Sequence, residues 1–236
     1  MAPRHFGILV PSTNTTCEIE YCRLAPELQV HTGRLGKGGN TPFSPSLEAD
    51  VAYQAKLLGE TRVEVIALAQ TSASLFADDY DAVSVKRMTE ASGVPSLTSA
   101  QAIGRALKAL AASRIAMATP YSEEVIGRAR RYYETKYGIT TVASESLGAD
   151  NAYAIGKMDA GMAEAALRRV NRPDIDALVV PGGNFPTMNW IAAWESQFGK
   201  PVITTNQAAL WAMLQTMKIA TPLPGMGRLL EQLPAG

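Results

Sequence analysis

The chain has 236 residues, 47% of them hydrophobic, which is long enough to bury a sizeable core as one large α/β domain or as two lobes. Its 22 Lys and Arg balance 22 Asp and Glu, and no basic run stands ready to neutralise a row of phosphates, so nucleic acid is excluded as a partner. No apolar stretch reaches the roughly 18 residues of a membrane-spanning helix, and Met1–His5 shows no signal-peptide pattern, so a cytoplasmic protein without a membrane partner is expected.

The first strand-like run, Phe6–Val10, leads into Pro11-Ser12-Thr13-Asn14-Thr15-Thr16, four hydroxyls and one amide ahead of a helix. Free N–H groups and the positive dipole end there favour a carboxylate or phosphate, although the same residue types are also ordinary helix caps. Cys17 and Cys22 follow on that helix. They are too close for a disulfide framework and, with only two histidines in the chain, give no metal-ligand spacing. Leu28–Thr32 is a second strand-like run carrying His31. Val63–Ala69 leads to Gln70-Thr71-Ser72-Ala73-Ser74, Arg114–Ala118 to Thr119-Pro120-Tyr121-Ser122, and Ala177–Val180 to Pro181-Gly182-Gly183-Asn184. Helical stretches separate these runs, as parallel strands joined by helices require. Thr98 or Ser99 can cap a helix burying Ile103, Leu107 and Leu110. Asn206 can cap one burying Leu210, Trp211, Leu214 and Met217, and the tail after Pro224 reads as a turn into a short helix.

Phe6 to Arg114 spans 108 positions and Val63 to Ala177 spans 114, so the chain reads as two similar halves. Residues 1–112 with 206–236 form one expected lobe and 113–205 the other. Ligands in parallel sheets bind beyond the carboxyl ends of the strands, so four polar loops at four strand ends point to one cleft between the lobes. Hydroxyls and amides converging without a glycine-rich phosphate motif suit a small carboxylate or the enediolate derived from it.

As an ordered set, several segments resemble the Asp/Glu racemase superfamily near its maleate isomerase and arylmalonate decarboxylase branch. They are Ile8–Thr16 (ILVPSTNTT), Val30–Arg34 (VHTGR), Gln70–Phe76 (QTSASLF), Thr119–Val125 (TPYSEEV), Gly182–Ile191 (GGNFPTMNWI), Pro201–Trp211 and Gly225–Leu229. The resemblance implies an α/β fold of two doubly wound parallel-sheet lobes related by a pseudo-twofold axis, a site in the cleft, no cofactor and a homo-oligomer. It also implies carbanion or covalent-adduct chemistry carried by cysteine thiols. Gln70 stands at the first thiol position and Gly182 at the second, which counts against two-thiol racemisation.

Substitutes for the thiols are Cys17, Gln70, Tyr121 and His31. Cys17 lies near a helix start, where thiol pKa falls, but it also reads as ordinary packing. The Gln70 amide could hold a water or a substrate group. His31 could be a general acid or base, or simply be hydrogen-bonded in place. Glu123 and Glu124 read as solvated first-turn acids, and Arg34 either pairs with a second substrate carboxylate or bridges the surface. Pro11, Asn14, Thr71, Ser72, Tyr121, Ser122, Gly183 and Asn184 are the expected binding residues. The leading expectation is a cofactor-independent decarboxylase or other lyase acting on a small carboxylate through an enediolate. A maleate-type cis–trans isomerase is the main alternative, followed by a hydrolase or hydratase using a Gln70-held water and by a carboxylate sensor without catalysis.

Overall fold

The computed structural model describes residues 2–24, 27–39 and 42–235. The first half runs β1 (Arg4–Pro11), α1 (Cys17–Cys22), β2 (Leu28–Leu35), α2 (Glu48–Glu60), β3 (Ile66–Leu68), α3 (Tyr80–Ser92), β4 (Ser96–Thr98) and α4 (Ser99–Ala109). The second runs β5 (Arg114–Thr119), α5 (Glu123–Tyr137), β6 (Thr140–Ser146), α6 (Ala152–Ile155), α7 (Ala160–Val170), β7 (Ala177–Val180), α8 (Ile191–Phe198), β8 (Val202–Thr204) and α9 (Thr205–Thr216), closed by α10 (Gly227–Gln232). Among the described residues no helix is long and apolar enough to cross a membrane, and no group of three His, Cys, Asp or Glu could hold a metal ion.

Two four-stranded sheets result, in the orders β2-β1-β3-β4 and β6-β5-β7-β8, with every named strand pair parallel. The orders are equivalent, so the halves have the same winding. The strand order reverses between β1 and β3 in one sheet and between β5 and β7 in the other, and such switch points are where loops diverge and leave a crevice. The four strand ends singled out in the sequence are therefore the four ends at the two switch points. Strand interiors such as Ile8, Ile66, Ala116 and Val179 are fully buried, as parallel strands covered on both faces require.

The halves also match at their last strands. Thr98 and Gln101 form a reciprocal cap at the start of α4, and Gln207 returns its Oε1 to the Thr204 N–H (3.3 Å) at the start of α9. Asn206 is thus not the cap of α9: it lies one residue inside the helix, and its side chain is drawn elsewhere by Cys17 and Glu20. Within Val63–Ala69 the strand proper is Ile66–Leu68, and hydrogen bonds to β1 continue on either side, from the Glu64 N–H to His5 O and from the Ala69 N–H to Leu9 O; Arg62, just before this run, takes a left-handed turn (φ 58°).

His31 lies on β2 opposite Gly7, four residues before the strand's carboxyl end at Leu35. Its Nε2 is 2.9 Å from His5 Nδ1. Burial and the neighbouring His5 hold its pKa below the ordinary value near 6.5. The unfolded chain then binds more protons at His31 than the folded one just below that value, so this imidazole contributes stability above about pH 6.5 that is lost as pH falls. Melting temperature should decline between pH 7 and pH 5.5, and His31→Gln should flatten that decline. An equal slope in the variant would assign the effect to other groups.

Candidate functional site

The loops after β1, β3, β5 and β7 enclose one pocket, lined among others by Asn14, Thr71, Ser72, Tyr121, Gly183 and Asn184. Its cavity volume is about 60 Å³. Among the described residues none in its lining is acidic, basic, histidine or cysteine; the wall is made of hydroxyls, amides, backbone, the Tyr121 phenol and the apolar Pro11, Phe43, Ala69, Ala152 and Ile155.

The β3 loop turns at once into a short 3-10 helix, Thr71–Leu75, whose first N–H groups have no acceptor within the helix. Thr71 Oγ1 lies 3.0 Å from Ser99 Oγ and 3.1 Å from Thr205 Oγ1, and Thr205 Oγ1 accepts the Gly182 N–H at 2.8 Å. A chain of hydroxyls therefore ties the starts of α4 and α9 to the ends of β3 and β7. Tyr121 is held by its own N–H donating to Thr119 Oγ1 and its carbonyl accepting from Ser146. Burial pushes its phenol above the ordinary pKa, and a hydrogen bond with Thr71 offsets part of that rise. It is a proton-bearing group at neutral pH.

Asn14 and Asn184 work as clasps at the pocket wall. Asn14 Oδ1 accepts from the Thr16 and Cys17 N–H groups, both at 3.0 Å. Asn184 Oδ1 accepts the Thr15 N–H at 2.7 Å while its Nδ2 donates to Ala152 O at 2.8 Å, joining the loops of the two halves. Arg34 is not in the lining: it donates to Asn14 O and pairs with Glu18 at 2.6 Å, bracing the loop from outside. Ser122, Glu123 and Glu124 are exposed, and Ser122 caps α5 by accepting from Val125 N–H.

Three of the expected substitutes for the thiols are placed otherwise than their chemical readings require. His31 is outside the lining, held by His5. Cys17 is fully buried behind Asn14 and Gly183, with Sγ 2.9 Å from Gly183 O and 3.1 Å from Asn206 Oδ1. Burial, reinforced by the Glu20 charge, raises its pKa, so it remains a thiol in a packing role. Gln70 lines the pocket, but both ends of its amide are engaged: Nε2 donates to Ser44 O at 2.9 Å and Oε1 accepts the Ser46 N–H at 3.1 Å. Water held by Gln70 is not what this geometry favours. Gly182 adopts φ 120°, and a Cβ there would lie 2.9 Å from Pro120, so this position suits glycine and not cysteine.

Sequence reasoning missed Phe43, which lines the pocket and stacks edge-on to Tyr121 with centroids 5.3 Å apart. It also missed Glu20, whose Oε1 accepts the Thr187 and Met188 N–H groups (2.7 and 2.9 Å) and whose Oε2 accepts from Asn206 Nδ2 (2.6 Å). Glu20 pins α1 to the loop beyond β7. Glu20→Ala, which strands three donors, should lower unfolding free energy by about 3 kcal/mol. Urea unfolding checks this, and a loss below about 1 kcal/mol would mean that water replaces the carboxylate.

The family model described as arylmalonate decarboxylase matches residues 6–230. The arylmalonate decarboxylase of Bordetella bronchiseptica is 28% identical over 232 residues, covering 96% of each chain. A maleate isomerase of Nocardia farcinica is 27% identical over 247 residues, covering 98% of this chain and 97% of its own. Among solved structures, a maleate isomerase of Pseudomonas putida S16 with maleate superposes with a TM-score of 0.85 at 27% identity, covering 97% of both chains. With nearly the whole length matched in sequence and both sheets matched in space, the chain belongs to the arylmalonate decarboxylase family.

Proposed function

We propose that this enzyme is a cofactor-independent decarboxylase of a small malonate-type dicarboxylate. The observation that carries this reading is a pocket wall that, among the described residues, has hydroxyl and N–H donors but no thiol, imidazole, carboxylate or cation. Decarboxylation requires that one carboxylate be held by donors and that the other sit in an apolar setting. It does not require a base or a nucleophile. Thr71 and the free N–H groups at the start of its 3-10 helix hold the retained carboxylate, with Ser72, whose hydroxyl donates to Phe43 O, and Asn14 and Asn184 fixing the segments around it. The leaving carboxylate faces apolar wall. The Cα–carboxyl bond breaks, its electron pair enters the enediolate, and carbon dioxide departs. Tyr121 O–H then gives its proton to Cα, and the phenolate regains a proton from water.

The second reading is a maleate-type cis–trans isomerase, favoured by the similarity to the maleate isomerases. The described lining residues offer hydroxyls but no thiol to add to the double bond, which places it second. Incubation with malonate, methylmalonate, phenylmalonate or maleate in deuterated water, followed by NMR, separates the two. Deuterium at Cα of a monocarboxylate product is expected. Fumarate from maleate would establish the isomerase, and tight carboxylate binding without any conversion would establish the sensor.

A further inference from the structure

The segment 42–46 crosses the pocket as a strap, fastened at three points by side chains of the β3 loop. Ser72 Oγ donates to Phe43 O at 2.9 Å, Gln70 Nε2 donates to Ser44 O at 2.9 Å, and Ser46 N–H donates to Gln70 Oε1 at 3.1 Å. Phe43 is 8% exposed and adopts φ 65°, a left-handed conformation that a bulky aromatic residue takes up only where its surroundings impose it. The strap imposes it here, because the carbonyls of Phe43 and Ser44 are both held by the β3 loop and the third bond fixes Ser46, three residues on. A second cavity of about 410 Å³ lies on the outer side of the strap, lined by Lys37, Tyr153 and Asn151 among others. It shares Pro11, Thr13, Phe43, Gln70 and Ala152 with the inner pocket, so those residues are the partition between the two.

The two volumes decide what can bind. A benzene ring occupies a cavity of roughly 150 Å³. The inner pocket, at about 60 Å³, is too small for it, and the outer one, at about 410 Å³, is ample. We propose that Gln70 is the latch and Phe43 the gate that set substrate size: closed, the inner pocket holds a carboxylate group with at most a short alkyl chain, and a molecule with a larger substituent, a second carboxylate or an aryl ring, is seated only when the strap is released and the two cavities merge. Gln70 is then a positioning residue, acting through Phe43, at a position where the resemblance would place a thiol. This proposal rests on the carboxylate-binding reading of the site.

Calorimetric binding of propionate and phenylacetate tests it without relying on turnover. The full chain should bind propionate more tightly than phenylacetate. Phe43→Ala should raise the ratio of phenylacetate to propionate affinity at least tenfold. Gln70→Met, similar in length but without the amide, should move the ratio the same way while thermal melting shows an intact fold. Should the alanine variant fail to fold, Phe43→Leu supplies a smaller change of the same sign. Propionate binding with an unchanged affinity ratio in folded variants would overturn the gate alone. If the unmodified chain binds neither acid, the carboxylate reading fails and the gate with it.

Discussion

Tyr121→Phe is expected to lower kcat on a malonate-type substrate by at least about 100-fold, with KM changed little. Delivery of a proton by a positioned acid contributes typically 10²–10⁴-fold, and among the described lining residues Tyr121 is the one proton-bearing ionisable group. Its ring is fixed by Phe43 at 5.3 Å and its backbone by Thr119 and Ser146, so the variant ring should keep its place and only the hydroxyl should be lost. The raised pKa supplies a second readout. A general acid works while protonated, and burial holds this phenol above the ordinary value near 10. Activity should therefore persist through pH 10 and fall only above it. Full activity in Tyr121→Phe would assign the proton to pocket water. A rate that falls already at neutral pH would require some other group.

The fold was legible because parallel strands buried on both faces must be written as short apolar runs, and Phe6–Val10, Arg114–Ala118 and Ala177–Val180 all lie within strands or coincide with them. Polar residues gathered at the ends of those runs were legible too, since nothing in a helix or strand interior calls for Thr71-Ser72 or Asn14. What could not be read were contacts made across long separations. Gln70 looked free because its partners, Ser44 and Ser46, lie 24 to 26 positions back in a loop with no periodicity. Glu20 drew no reading from the sequence, because its acceptor role is to Thr187, 167 positions on. His31 sits on a strand within a resembling motif, but only the sheet register shows that it is paired with His5 and set back from the pocket. One signal was available and would have corrected the cap of α9: Thr98-x-x-Gln101 repeats as Thr204-x-x-Gln207. That repeat marks the matching last strands of the two halves.

Thr71→Val is expected to cost two to three orders of magnitude in kcat, the loss seen when one donor to a developing oxyanion is removed. Valine keeps the branched shape, so the pocket should retain its volume. The hydroxyl, however, sits between Ser99 and Thr205 at 3.0 and 3.1 Å, and Thr205 in turn holds the Gly182 N–H. Deleting it removes a donor and also loosens a chain that sets the β3 loop against the β7 loop. A buried partner left unsatisfied costs about 1–3 kcal/mol, so a lower melting temperature should accompany the kinetic loss. The two effects separate with Thr71→Ser, which restores the hydroxyl without the methyl and should recover most of the activity, whereas Ser99→Ala should affect stability more than rate. A Thr71→Val enzyme within threefold of the unmodified rate would show that the backbone N–H groups of the 3-10 helix stabilise the enediolate unaided. The side-chain hydroxyls would then serve only to hold the two halves in register.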